Sequence, residues 1–458
     1  MTARNLSCGV VSWVPFWGKA GFAPAFLYLC IMISCILSIV MALQAVVPAP
    51  SFSSFSEKVF NKEKVGDVKY VVDKSIPSEG YELQIKRNRI VVRSSDEAGR
   101  FYALQTLSQL SSASVMHCGV VKDAPRFSWR GFMLDEARHF HGKEKVKELL
   151  DLMARYKLNR FHWHLADDQG WRVEIKAYPE LCTVGAVGCY SDASAPARFY
   201  SQEDIREIVA YAAERHIVII PEIDMPGHAS AFTRAFPELA FGPRTVDPSK
   251  EKLYEVLGTI VGELASVFPG PYMHIGGDEV SGEGWKERQK GFELRYAALV
   301  REAGKTPVMW DEALESGVSG VIHWWRADHP EALGSGLPTI VSPWDTFYLD
   351  YIQDARCKEG HLASQGYVND LEGIYNYPLT DSVLGVQANL WTERVITGDR
   401  LDYMVFPRLI ALAEKAWSST LDYSDFLHRL EGEYRYLDSI GVYYFDFRDF
   451  DRHPEPRR

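Results

Sequence analysis

Two hydrophobic rhythms take turns along most of this chain: short unbroken apolar runs, and longer stretches where apolar residues return every third or fourth position. The short runs are Trp129–Leu134, Asn159–Leu165, Ile217–Ile223, Tyr272–Gly276, Pro307–Trp310, Gly320–Trp324, Thr339–Ser342 and Leu384–Leu390. Consecutive apolar positions over such lengths fit strands buried on both faces, as in a parallel sheet. The intervening stretches read as amphipathic helices. Val146, Leu149, Leu150 and Met153 share one face, and Ser201-Gln202-Glu203-Asp204 reads as a capping box ahead of Ile205, Ile208 and Val209. Eight strand–helix units predict an α/β fold of the (β/α)8 type, a closed TIM barrel over residues 126–447. An open doubly wound sheet alternates in the same way but seldom reaches eight units.

Ahead of the barrel the rhythm changes. Tyr81-Glu82-Leu83-Gln84-Ile85 and Ile90-Val91-Val92 alternate around a turn at Asn88, and Phe101, Leu104, Leu107 and Leu110 follow at helical spacing. Residues 57–125 therefore predict a small α+β domain, ending in a connecting stretch from Ser111 to Pro125. Residues 48–56, rich in Ser and Phe, read as a linker, and 448–458 as a charged tail. Upstream, no charge occurs between Lys19 and Glu57, and residues 22–47 are apolar over a length that crosses a bilayer. They predict a transmembrane anchor in preference to a cleaved signal segment, because Leu43-Gln44-Ala45 is a poor small-x-small site. Arg4 and Lys19 then keep residues 1–21 cytoplasmic and place the remainder on the periplasmic or extracellular side, with the membrane as a partner.

Composition narrows the function classes. A chain of 458 residues with 47% hydrophobic content builds a large core, and a net charge of −11 without a basic stripe argues against nucleic acid as a partner. Cys118, Cys182, Cys189 and Cys357 follow the apolar segment, with no CxxC or Cys/His spacing for zinc. Cys182 and Cys189 flank a loop short enough to close as a disulfide in an oxidising compartment, or they stand as separate thiols. The single Asn-x-Ser/Thr site, Asn5-Leu6-Ser7, precedes the apolar segment, a pattern that suits a bacterial exported protein better than a lumenal eukaryotic one.

In a parallel barrel the chemistry collects where the strands end. Here they end in Asp135-Glu136-Ala137-Arg138-His139, His164-Leu165-Ala166-Asp167-Asp168, Asp224-Met225-Pro226-Gly227-His228, Gly276-Gly277-Asp278-Glu279, Trp310-Asp311-Glu312, His323-Trp324-Trp325-Arg326, Trp344 with Tyr348-Leu349-Asp350-Tyr351, and Trp391-Thr392-Glu393. The adjacent carboxylates of Asp278 and Glu279 are the most telling. Pressed together, like charges drive their proton affinities apart, so one stays an acid while its neighbour is ionised, which is what glycoside hydrolysis requires. The plain alternative is a pair of acids capping a helix. Arg138 has its own plain alternative, an ion pair with Asp135 or Glu136. Tyr348 and any one Trp can equally be core, and His228 a hydrogen-bonded core histidine.

Taken together, His-x-Gly-Gly-Asp-Glu at 274–279, His-Trp-His-Leu-x-Asp-Asp at 162–168 and Pro-Gly-His at 226–228 resemble the family 20 glycoside hydrolases, the β-N-acetylhexosaminidases, over roughly residues 80–445. The resemblance implies removal of terminal N-acetylhexosamine with retention, the substrate's own acetamido group acting as nucleophile, without cofactor or metal. It implies Glu279 as general acid/base, Asp278 and Tyr348 on the acetamido group, and Asp167 and His228 supporting Glu279. It further implies Trp324, Trp344 and Trp391 as pocket walls, and Arg138, Asp350 and Glu393 on sugar hydroxyls. The segment between Glu279 and Trp310 is shorter than the family usually has, which bears on contacts beyond the cleaved bond. Two other readings compete. A metal-dependent barrel amidohydrolase would use His162, His164, His274 and His323 as zinc ligands, and a tethered sugar-binding protein would have lost its acid, whereas Glu279 is present.

Overall fold

The computed structural model describes residues 46–61, 68–113, 115–280, 284–358 and 367–457. The predicted membrane segment lies outside the described residues apart from Val46 and Val47, which are buried against the protein. Among the described residues no helix is long and apolar enough to cross a membrane.

The N-terminal part is a five-stranded sheet in the order β1-β5-β3-β4-β2, comprising β1 (Phe52–Val59), β2 (Lys69–Val72), β3 (Tyr81–Lys86), β4 (Arg89–Ser94) and β5 (His117–Asp123), with the helix Glu97–Ser112 packed on it. Asp96 caps that helix through the Gly99 amide. Two expectations are corrected. Residues 48–56 are not a linker, because Phe52–Val59 pairs with β5 along the sheet edge. Nor is the stretch after Ser111 a simple connection, since β5 lies between β1 and β3. Both strands lack an apolar alternation for a physical reason. The side chains of β1 are mostly exposed and its pairing is through the backbone, while β5 buries Asp123, whose partners lie elsewhere in the chain.

The eight predicted strands close into a parallel barrel: β6 (Trp129–Asp135), β7 (Arg160–His164), β8 (Val218–Glu222), then, past a short β9 (Ala240–Gly242) and β10 (Thr245–Val246) hairpin, β11 (Tyr272–His274), β12 (Thr306–Trp310), β13 (Val321–Trp324), β14 (Thr339–Val341) and β15 (Gly385–Leu390), which pairs back onto β6. The helix Lys143–Arg155 buries Val146, Leu149, Leu150 and Met153 as expected, and Ser201 and Asp204 form the capping box at the start of Gln202–Ala213. Inward-facing side chains form layers. Trp129, Ile220, Val308, Val321 and Ile340 plug one end of the barrel. Above them His162, His274, His323, Gln387, Glu222 and Trp310 make a polar layer that leads to the strand ends.

Small domain and barrel share a charged junction. Asp123 Oδ2 accepts hydrogen bonds from Lys157 Nζ at 3.0 Å, Tyr81 OH at 2.8 Å and Trp417 Nε1 at 2.9 Å. Arg130 reaches Glu79 Oε2 at 2.5 Å and the Phe127 and Lys157 carbonyls at 2.8 Å. Residues 448–457 are no loose tail. Arg448 pairs with Glu431 at 2.7 Å, and Arg400 Nη1 donates to the Pro456 carbonyl at 2.8 Å. Cys182 and Cys189 are both free thiols, Cys182 Sγ donating to the Val173 carbonyl and Cys189 Sγ lying 3.5 Å from Ser191 Oγ.

Candidate active site

The strand ends surround a cavity of 450 Å³ lined by Arg138, His228, Asp278, Glu279, Trp325, Trp344, Tyr348, Asp350, Tyr351, Tyr367, Trp391 and Glu393. A larger cavity, 650 Å³, lies at the opposite end between the small domain and the barrel. Its acids serve the fold, Asp96 capping a helix and Glu79 pairing with Arg130, so convergent chemistry belongs to the first.

The turn after β11 sets the floor. Gly276 has φ +73°, and a Cβ there would stand 1.7 Å from Asp224 Oδ1, so only glycine permits the approach. Asp224 Oδ1 accepts from the Gly277 amide at 3.1 Å, and the chain then delivers Asp278 and Glu279. Asp278 is buried and its Oδ1 meets no hydrogen-bond donor. Burial raises its pKa. The Asp224 carboxyl beside it is pushed well above the ordinary range by burial and by the Asp278 charge, so a proton held on Asp224 allows Asp278 to stay ionised.

Glu279 departs from expectation. Its backbone is left-handed at φ +56°, its side chain is 57% exposed at the rim, and its Oε2 lies 3.2 Å from His228 Nε2. The His228 contact outweighs partial burial and holds its pKa below the usual value. Burial pulls the other way, but the net direction is down, against the reading that its surroundings alone make Glu279 the standing acid. His228 Nδ1 in turn lies 3.1 Å from Asp167 Oδ1, and burial of His228 is overcome by Asp167, Asp278 and Glu279, which keep the imidazole protonated. Asp167 sits behind the wall. Although it is buried, Arg138, His228 and His164 hold its carboxyl well below the usual range.

Arg138 joins Asp167 Oδ2 at 2.8 Å, Asp135 Oδ2 at 3.4 Å and Glu393 Oε1 at 3.8 Å, and lies 4.8 Å from the Trp391 ring centroid. It is thus both an ion pair and a pocket wall. Glu136 is not its partner; burial pushes that carboxyl up to about 7, and Tyr200 OH donates to it at 2.9 Å. Burial and the Asp278 charge push the Tyr348 phenol well above its ordinary value, keeping it a donor.

One predicted wall is misplaced. Trp324 turns outward into the helix layer, its Nε1 donating to the Arg326 and His329 carbonyls, and Trp325 lines the cavity instead. Strand alternation explains it: His323 points inward, 3.3 Å from His274, so Trp324 must point out and Trp325 in. Four further groups carry no distinguishing motif. Tyr351 and Tyr367 line the mouth, Asp224 supports Asp278, and Glu312 accepts from Trp325 Nε1 at 3.0 Å. Burial, with Asp278 and Asp311 nearby, pushes Glu312 up to about 8. Of the zinc ligands of the competing reading, His162, His274 and His323 lie beneath the pocket, where His323 meets His274, His162 meets Gln387, and His162 and His274 face Glu222, while His164 lies between Glu222 and Asp167.

The chain belongs to glycosyl hydrolase family 20. The family's catalytic domain matches residues 127–420, and its domain 2 matches residues 46–124. The chain is 36% identical to a β-hexosaminidase of Porphyromonas gingivalis, over 84% of this chain and 57% of that one. It is 37% identical to a β-hexosaminidase of Vibrio furnissii over 73% and 64%. It therefore spans less than two thirds of either relative's length. Its fold superposes on a GH20 exo-β-N-acetylglucosaminidase from Vibrio harveyi in complex with N-acetylglucosamine, with a TM-score of 0.83 and 31% identity over 88% of this chain and 78% of that one.

Proposed function

We propose that the protein removes terminal β-linked N-acetylhexosamine from oligosaccharides or glycoconjugates by a retaining, substrate-assisted mechanism. The observation that carries this reading is the pairing of a buried Asp278, with Asp224 beside it, and an adjacent Glu279 exposed at the pocket rim. The acetamido oxygen of the bound sugar attacks the anomeric carbon while Glu279 protonates the departing oxygen. Asp278 accepts the amide N–H and faces the positive charge of the oxazolinium, and the Tyr348 hydroxyl donates to the acetamido oxygen. Water, activated by the now ionised Glu279, then opens the ring, and two inversions give retention. The bound sugar covers Glu279, and the lost hydration raises its pKa toward that of a working acid. Trp325, Trp344 and Trp391 offer flat apolar faces to the sugar, with Arg138, Asp350 and Glu393 positioned for its hydroxyls. Export rests on the charge-free stretch 22–47, which supports a site of action outside the cytoplasm.

The test compares an aryl N-acetylglucosaminide with the matching glucoside. The glucoside lacks the attacking atom, so its turnover is expected to fall by orders of magnitude. A thiazoline that mimics the cyclised intermediate is expected to bind far more tightly than the product sugar. Comparable rates on the two sugars, or a covalent sugar ester trapped on any Asp or Glu, would overturn the mechanism.

A further inference from the structure

Beneath the pocket the polar layer of the barrel is not a set of isolated pairs. Glu222 ends β8, fully buried, and its Oε2 accepts from His164 Nδ1 at 2.5 Å while Trp310 Nε1 donates to Oε1 at 3.0 Å. His162 Nε2 and His274 Nδ1 also face this carboxylate, at 3.0 and 2.8 Å. The other nitrogen of His164 lies 3.0 Å from Asp167 Oδ2, and from Asp167 the line continues through His228 to Glu279. We propose that Glu222 and His164 are positioning residues for the proton donor, forming the buried end of a line of contacts Glu222–His164–Asp167–His228–Glu279 whose last step is the 3.2 Å ion contact of His228 with Glu279. The inference rests on the reading of Glu279 as general acid.

The geometry says why such an end is needed. Asp167 Oδ2 is shared between His164 Nε2 and Arg138 Nη2, and Oδ1 between the Asp168 amide at 2.5 Å and His228 Nδ1. Arg138 also reaches toward Asp135 and Glu393 near the mouth. Without His164 the guanidinium is the remaining side-chain partner of Oδ2, and it draws the carboxylate toward the mouth and away from the line that keeps His228 on Glu279. An ordinary core imidazole needs one partner per nitrogen and no charge. His164 instead bridges two carboxylates of strand β7's loop and strand β8, with the Trp391 ring 5.0 Å away edge-on, and both carboxylates favour its protonated form. The alternation of charge along the chain fixes each ring rotamer through its neighbour, as orienting partners do behind other catalytic groups.

The test uses leaving groups, because only loss of acid catalysis grows as the leaving group worsens. In the full chain, His164→Asn is compared with wild type on an aryl N-acetylglucosaminide activated enough to leave unprotonated, a dinitrophenyl compound, and on chitobiose. The expected loss in kcat is on the order of 10- to 100-fold on chitobiose and no more than about threefold on the activated compound. His323→Asn, equally buried but outside the chain, is the control and is expected to affect both substrates alike. Glu222→Gln preserves volume and is expected to reproduce the selective loss, so the proposal stays testable if His164→Asn does not fold. Equal losses on both substrates for both variants would mean that the residues only hold the barrel together, and the proposal would fail. Glu279→Gln, run in parallel, separates the two readings. If it shows the selective loss and the other two variants do not, only the relay is wrong; if it shows none, the acid assignment itself falls.

Discussion

At the closed end of the barrel, Lys157, Asp123 and Arg130 are buried beneath Trp417 and Tyr102, with the half-buried Glu79 pairing with Arg130. At the open end Arg138, Asp167, His228 and Asp278 are buried to a similar depth. The chemistry of the side chains is the same and the bookkeeping of hydrogen bonds is not. Asp123 Oδ2 has three donors and Arg130 spends its nitrogens on carbonyls, Tyr102 and Glu79, so nothing is left to bind. At the open end the chain of partners stops one group short. Asp278 Oδ1 lacks a donor, and Glu279 is half in solvent. A buried ion network becomes a reactive site when its last members are left to be completed by substrate.

The sharpest way to break this comparison is to cut one group from each end. Glu279→Gln is expected to lower kcat on chitobiose by about 10²–10⁴-fold with the unfolding midpoint unchanged. Lys157→Met strands a buried carboxylate and is expected to cost about 3–5 kcal/mol of stability with kcat at wild-type level wherever the protein is folded. Denaturant unfolding and initial rates on both variants give the answer; a stable Lys157→Met or an active Glu279→Gln would erase the distinction.

A smaller contrast lies in adjacent residues. Trp325→Ala removes a cavity wall and is expected to cost about 1–3 kcal/mol in kcat/KM, with modest loss of stability. Trp324→Ala opens a void in the helix layer and is expected to cost about 3–5 kcal/mol of stability while KM stays near wild type. The reverse pattern would restore Trp324 to the pocket.

The smallest effect is on pH. The alkaline limb of kcat/KM follows proton loss from Glu279 in the free enzyme. The His228 contact lowers that pKa, so its removal in His228→Asn raises it, and the limb moves to higher pH by about one unit or less. A shift to lower pH would contradict the ion pair as the cause.

Much of this is legible in the sequence. Strands buried on both faces announce themselves by consecutive apolar positions, and all eight barrel strands lie within a residue or two of their predicted bounds. The residues that line the pocket gather at strand ends for the same reason. What stayed hidden depended on partners far along the chain. Strand β5 is disguised by Asp123, whose partners Lys157 and Trp417 stand 34 and 294 residues away. Trp325 was hidden in plain view, since the inward His323 two positions earlier already fixes its side. The exposure of Glu279 follows from a left-handed backbone that no spacing rule foretells.

The burial of Val46 and Val47 has a practical corollary. Gln109 clasps Val47 from both sides, its Oε1 accepting from the Val47 amide at 2.7 Å and its Nε2 donating to the Val47 carbonyl at 2.8 Å. The same Nε2 lies 3.3 Å from the carbonyl of Arg155, the last residue of a helix that runs antiparallel to the strands and ends at their starting side. Residue 46 is therefore pinned to the face opposite the pocket mouth. A handle or surface joined directly at residue 46 would therefore meet the protein on the face away from the mouth and leave the mouth clear.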